Sequence, residues 1–187
     1  MKVPVLPEPR TTDEIRQALR DLHDSSTEFW SSLPAEERFE PQGEAWSPVQ
    51  HLEHLGSSNA PVAGALGTPK PLILLRFGPS LAASRDFAGV REFYQSALGN
   101  GLRARGPYVP KASEAPEDPE AHWQSVMDRR QRIADRLHAR LEGWGETALD
   151  RLRLPHPALG KMTVREILYF TVYHNYHHVA SVARRRG

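Results

Sequence analysis

The stretch YHNYHH, residues 173–178, holds three histidines within five positions, and HLEHL, residues 51–55, holds two more three positions apart. On a helix, His174 and His178 stand one turn apart with Cβ atoms about 6 Å from each other. Two imidazole nitrogens can then meet one metal ion at about 2.0–2.1 Å. The neighbours His177 and His178 diverge by about 100° and do not chelate as a pair. The alternative for residues 174 and 178 is a pair of buried histidines bonded to other polar groups. The chain has no cysteine, which removes thiolate ligands, disulfides and a cysteine nucleophile together. A metal here has to be held by histidine or carboxylate.

These histidines need elements to position them, and four long segments carry helical periodicity while alternating strands are absent. The first begins at TTDE, where Thr11 and Glu14 have capping-box spacing, and continues with Ile15, Leu19, Leu22, Phe29 and Trp30 on one side. The second opens at WSPVQ: Ser47 can cap, Pro48 takes the first helical position and Gln50 the third. It is expected to end or kink near Pro61. The third spans roughly 119–143 and closes at Gly143 and Gly145. The fourth runs from a cap at Thr163, with Glu166 three residues on, to Arg185.

Between the second and third helices, about residues 67–119, the composition turns to proline, glycine and serine with short apolar pieces. A connection of that length is expected to be functional, mobile, or built of short helices of its own. The pattern is an all-α, four-helix bundle with a long crossover, one domain over 1–187.

On a wheel, Val164, Ile167, Leu168, Thr171, Asn175, Val179 and Val182 share the core face of the last helix. His178 falls inside that face, His174 at its edge and His177 farther out. The second helix offers a third imidazole to the same interior from His51 or His54; the wheel puts His51 nearer the apolar centre, and periodicity leaves both open. Tyr169, Tyr173, Tyr176 and Ala180 form a stripe opposite the core face. Such a stripe is expected either to make a homodimer interface or to be covered by the crossover. His23, His122 and His138 read as surface or core-edge residues without partners, and His156 as a residue that shapes the loop between Pro155 and Pro157.

The chain resembles the DinB/YfiT-like superfamily of metal-binding four-helix bundles. WSPVQHLEHL is similar to the Trp-Ser-x-x-x-x-x-x-His-Leu opening of the family's second helix, and HPALGKMTVREILYFTVYHNYHHVASV to its His-Pro-x-x-Gly loop and closing His-x-x-His-His helix. The resemblance implies His54, His174 and His178 as metal ligands; His51, which the wheel prefers, stays the alternative third ligand, and His51, His177 and Asn175 are candidates to support the ligands or replace one. It also implies thiol-dependent transferase or isomerase chemistry with a low-molecular-weight thiol, or metal-dependent hydrolysis, and a tendency to dimerise. Residues 67–116 match no family motif.

Three neutral imidazoles leave an ion with open positions, the arrangement of a catalytic zinc site. It would lower the pKa of a bound water or thiol. Zinc or nickel come first for such a site, with iron, manganese or copper behind them. The nearest acids in sequence, Glu53 and Glu166, project away from the core faces, which favours metal-assisted thiol transfer over hydrolysis. A metal- or ligand-binding stress protein without catalysis is the competing class.

With 24 Lys and Arg against 23 Asp and Glu, spread along the chain, no basic groove marks a nucleic-acid partner. Arg184 to Arg186 read as a solvated helix end that offsets the helix dipole. Arg76, Arg103 and Arg105 are candidates to meet an anionic small-molecule substrate, although solvated arginines are commoner. No run reaches the ~20 apolar residues of a membrane span, and no apolar signal core opens the chain. A cytoplasmic protein without membrane partners is expected.

Overall fold

In a computed structural model, the described residues are 3–41, 43, 45–110 and 116–186. Helix α1 spans Thr12–Ser31, and the Thr11–Glu14 capping box forms as the spacing predicts. Helix α2 spans Pro48–Leu66, with Ser47 and Gln50 exchanging side-chain and backbone bonds at its start. A cap of this kind stabilises a helix by about 1 kcal/mol, and it fixes the register of the two histidines that follow. Helix α2 does not end at Pro61; it continues through it to Leu66. Pro61 is exposed, so its ring meets solvent instead of a neighbouring helix.

The crossover is built of short helices, α3 (Lys70–Phe77) and α4 (Phe87–Gly99), the latter capped by Asp86. Helix α5 covers Pro119–Leu141 and is capped by Asp118. After it come two elements the periodicity does not announce: helix α6 (Glu146–Arg151) and a hairpin of strands β1 (Arg153–His156) and β2 (Gly160–Thr163). The strands pair antiparallel, from Arg153 opposite Thr163 to His156 opposite Gly160. The expectation of no strands is corrected by this hairpin. It is only four residues per strand, too short for alternation to register.

Helix α7, Val164–Arg186, is the central element. Thr163 and Glu166 form a reciprocal cap at its start, with Thr163 N donating to Glu166 Oε2 at 3.0 Å and Glu166 N donating to Thr163 Oγ1 at 3.2 Å. Every residue from Val164 to His174 is buried. The reason is that α1, α2 and α4 all pack on α7, while α2 lies along α5.

The stripe opposite the expected core face is therefore internal. Tyr169 packs edge-on against Phe87 at 5.7 Å, and Tyr94 packs against Tyr173 at 6.1 Å. Gln95 donates to the Tyr173 hydroxyl at 2.8 Å. Of the two expectations for the stripe, cover by the crossover is the one realised, and the stripe gives no argument for a second copy. Glu166 is likewise buried at 5% exposure, not turned outward. Its carboxylate accepts from Arg85 N at 2.9 Å and Arg85 Nη1 at 3.0 Å.

The core has two apolar clusters. The larger joins Ile15, Leu22, Ile133 and Leu141 to the first half of α7; the smaller joins Phe29, Trp30, Leu52, Leu55 and Trp123 to Val179 and Val182. His54, His174 and His178 lie in the middle of α2 and α7, held by these apolar surroundings. Among the described residues no helix is long and apolar enough to cross a membrane.

Candidate metal centre

Three imidazoles converge where α2 crosses α7. His54 Nε2 lies 3.1 Å from His174 Nε2, and His178 Nε2 lies 3.0 Å from the same atom. One ligand atom from each of the three falls within 4.8 Å of the others, and all three residues are buried. Two ligands of an ion about 2.1 Å away are themselves about 3.0–3.4 Å apart for bond angles between a right angle and the tetrahedral value. The two separations from His174 match that range.

The protonation pattern also fits an ion. His54 Nδ1 lies 2.6 Å from the carbonyl oxygen of Tyr108. A carbonyl only accepts, so Nδ1 carries the proton and Nε2 presents its lone pair to the centre. A proton on His174 Nε2 would have to serve both His54 and His178, while His174 Nδ1 is buried with no partner. A divalent cation would satisfy all three nitrogens at once.

Desolvation by burial holds His54 below its ordinary value, and His174 and His178 well below it, with the neighbouring histidines adding to the effect for the latter two. The cluster is thus kept neutral, the form that ligates.

His51 does not point to the same spot. Its Nδ1 faces His178 Nδ1 at 2.7 Å, and its Nε2 is buried without a partner. Burial and the charge of Arg185 push it down to about 3. A neutral His51 can accept the Nδ1 proton of His178, which frees His178 Nε2 for the centre. His177 is half-buried and packs beside Tyr94 and His178, at 5.8 and 5.3 Å between rings. Asn175 turns to another neighbour: it exchanges bonds with Asn59 of α2 and donates to Thr171 O at 2.8 Å, away from the imidazole cluster.

Aromatic rings wall the cluster. Trp46 lies parallel to His178, 6.3 Å between ring centroids with 6° between planes, and meets His54 at 5.1 Å. Phe170 stacks on His174 at 4.8 Å. His156 packs on Phe170 at 4.6 Å, and burial lowers it to about 4. Its Nδ1 accepts from Ala158 N and Leu159 N, so it does shape its loop as the sequence implies, while its ring also lines the cavity.

Sequence reasoning used Trp46 only to set register and gave Phe170, Tyr94 and Tyr108 no place. For Tyr108 the contact is a backbone carbonyl, which leaves no side-chain signal. Two of the histidines expected to lack partners have them: His23 Nε2 lies 2.9 Å from Gln131 Oε1, and His122 Nε2 lies 3.1 Å from Glu53 Oε1. The latter pair also accounts for Glu53.

The cluster lines a cavity of about 1510 Å³ bounded by α2, α3, α4, α7, β1 and the segment that follows α4. Among the described residues, no carboxylate lines it.

The architecture has solved counterparts. The chain is similar to TT2238, a four-helix bundle protein, with 16% identity over 93% of this chain and 99% of that one and a TM-score of 0.53. It is also similar to YfiT from Bacillus subtilis, described as a probable metal-dependent hydrolase with an unusual four-helix bundle topology, with 16% identity over 93% of this chain and 85% of that one and a TM-score of 0.58. At such identities the likeness is one of fold. No curated protein sequence matches the chain. The family model described as the DinB superfamily matches residues 13–182, from the first turn of α1 to the last turns of α7. By that match, the chain belongs to the DinB superfamily.

Proposed function

We propose that the protein is a metal-dependent enzyme in which His54, His174 and His178 hold one divalent ion, zinc or nickel before iron, manganese or copper, and that it transfers a low-molecular-weight thiol to a small-molecule substrate. The observation that carries this reading is the convergence of three neutral, buried imidazole nitrogens on a large cavity with no carboxylate in its described wall. When bound, such an ion supplies a Lewis acid that brings the ionisation of a bound thiol or water towards neutrality.

The chain's own residues do the rest. The Tyr108 carbonyl fixes the His54 tautomer, and His51 fixes that of His178. Trp46 and Phe170 lay aromatic faces against His178 and His174, on two flanks of the cluster. Thiol chemistry needs no separate base once the thiol is ionised, and none of the described acids near the ligands is available as one. Glu53 is engaged by His122 and Glu166 by Arg85.

A second reading, metal-dependent hydrolysis, is favoured by the likeness to YfiT and its description as a hydrolase. Cobalt-substituted protein separates the two. Thiol transfer predicts a thiolate-to-metal absorption band on addition of a low-molecular-weight thiol, and metal-dependent conjugation of that thiol to an electrophilic aryl halide. Metal-dependent ester or amide hydrolysis with no band on thiol addition would overturn thiol transfer in favour of hydrolysis.

A further inference from the structure

The wall of the cavity that holds the imidazole cluster has two further kinds of side chain. It has apolar members, Leu72, Phe77, Leu98, Leu102 and Leu154. It also carries five arginines drawn from three places in the chain: Arg76 at the end of α3, Arg103 and Arg105 after α4, and Arg184 and Arg185 at the end of α7. All five are exposed. Arg103 is tied to the carbonyls of Leu98 and Leu102. For Arg105, Arg184 and Arg185 no ion pair forms with any described residue.

Helix-dipole compensation explains a basic residue at the end of α7 but not two that turn to a cavity. Nor does it explain Arg105, which lies outside any helix. Like charges so placed repel one another, and with no described carboxylate among them an anion is the partner they would favour. Arg184 and Arg185 stand two turns beyond His177 and His178 on α7, and all four line the same cavity.

We infer that the substrate, or the thiol that joins it, is an apolar-bodied anion: a carboxylate or phosphate received by Arg105, Arg184 and Arg185, with its hydrocarbon portion along Leu72, Phe77, Leu98 and Leu102. The inference rests on reading this cavity as the substrate site. Guanidinium groups present paired donors that match both carboxylate and phosphate oxygens. A cavity of about 1510 Å³ exceeds the usual volume for one small ligand, about 300–1,000 Å³, and leaves room for two reactants side by side.

The test is isothermal titration calorimetry with octanoate, octyl phosphate, octanol and octylamine, on metal-loaded and on metal-stripped protein, with metal content measured in each. At least one anion is expected to bind about tenfold or more tightly than the alcohol and the amine, and to weaken as salt rises. The stronger of the two anions identifies the headgroup. The preference should persist in stripped protein and fall by about tenfold in the triple variant R105A/R184A/R185A, with metal per chain unchanged. Because these side chains are exposed, the variant should fold.

Equal binding of anion and alcohol would overturn the inference. So would a preference that survives the triple variant, or one that vanishes on stripping, since the ion and not the arginines would then be reading the charge. Wild-type protein that takes up no metal yet keeps the arginine-dependent preference would fail the metal reading and leave this one standing.

Discussion

His51 and His178 face each other through their Nδ1 atoms at 2.7 Å, a contact that leaves His178 Nε2 free to turn to His174. A residue that fixes the tautomer of a ligating histidine contributes about 10–100-fold to metal affinity without touching the ion. His51→Ala is therefore expected to weaken binding by that factor in a competition titration with a chromophoric chelator. His54→Ala and His174→Ala should abolish binding. A His51→Ala protein with undiminished affinity would remove His51 from the centre; one with no binding at all would make it a ligand.

Gly106 carries φ of 56°, in the left-handed region, two residues before the carbonyl that holds His54 Nδ1. A β-branched side chain there costs about 1–2 kcal/mol, paid by strain in the turn that presents Tyr108. Gly106→Val should lower stability by about that amount in urea unfolding and loosen metal binding as well. A stability loss with metal affinity unchanged would show that the Tyr108 carbonyl does not set the His54 tautomer.

Phe170 is 6% exposed and lies between His156 and His174. Truncation to alanine is expected to cost about 3 kcal/mol, near the low end for a buried phenylalanine because one side of the ring borders the cavity. Chemical denaturation of the stripped protein measures it. A loss below about 1 kcal/mol would mean that the ring is not part of the packed wall.

The buried histidines give the stripped protein a defined acid response. His51 is lowered to about 3 and His156 to about 4, from ordinary values of 6.5. The unfolded chain then binds protons that the folded chain refuses, so stability falls as pH drops below 6.5. The His156 penalty is complete near pH 4 and that of His51 near pH 3. Unfolding free energies measured on either side of pH 6.5 should show this decline, and His156→Gln should make it shallower. A flat profile between pH 6.5 and 4 would contradict it.

What could be read beforehand follows from where each signal resides. The starts of α1 and α2 are legible because Thr11 with Glu14, and Ser47 with Gln50, are local pairs that need no partner element. Helix α6 and the β1–β2 hairpin are six and four residues long, less than the span over which a period shows. Helix α7 misleads a wheel because α4 buries the face opposite the core, so Tyr169 and Tyr173 look like an interface and are interior. The wheel also set His51 ahead of His54. Both are buried, at 5% and 7% exposure, and only the three-dimensional crossing of α2 and α7 distinguishes the imidazole that meets His174 from the one that meets His178 from behind. Arg184 and Arg185 look like a solvated helix end until the crossover folds beside them and makes them part of a cavity wall.

On this geometry His54, His174 and His178 hold one divalent ion. Elemental analysis of untagged protein, wild type beside His174→Ala, tests it most directly. About one ion per chain is expected in the wild type, as in three-histidine catalytic sites, and none in the variant. A wild type without metal after reconstitution, or a variant that keeps full occupancy, would contradict it.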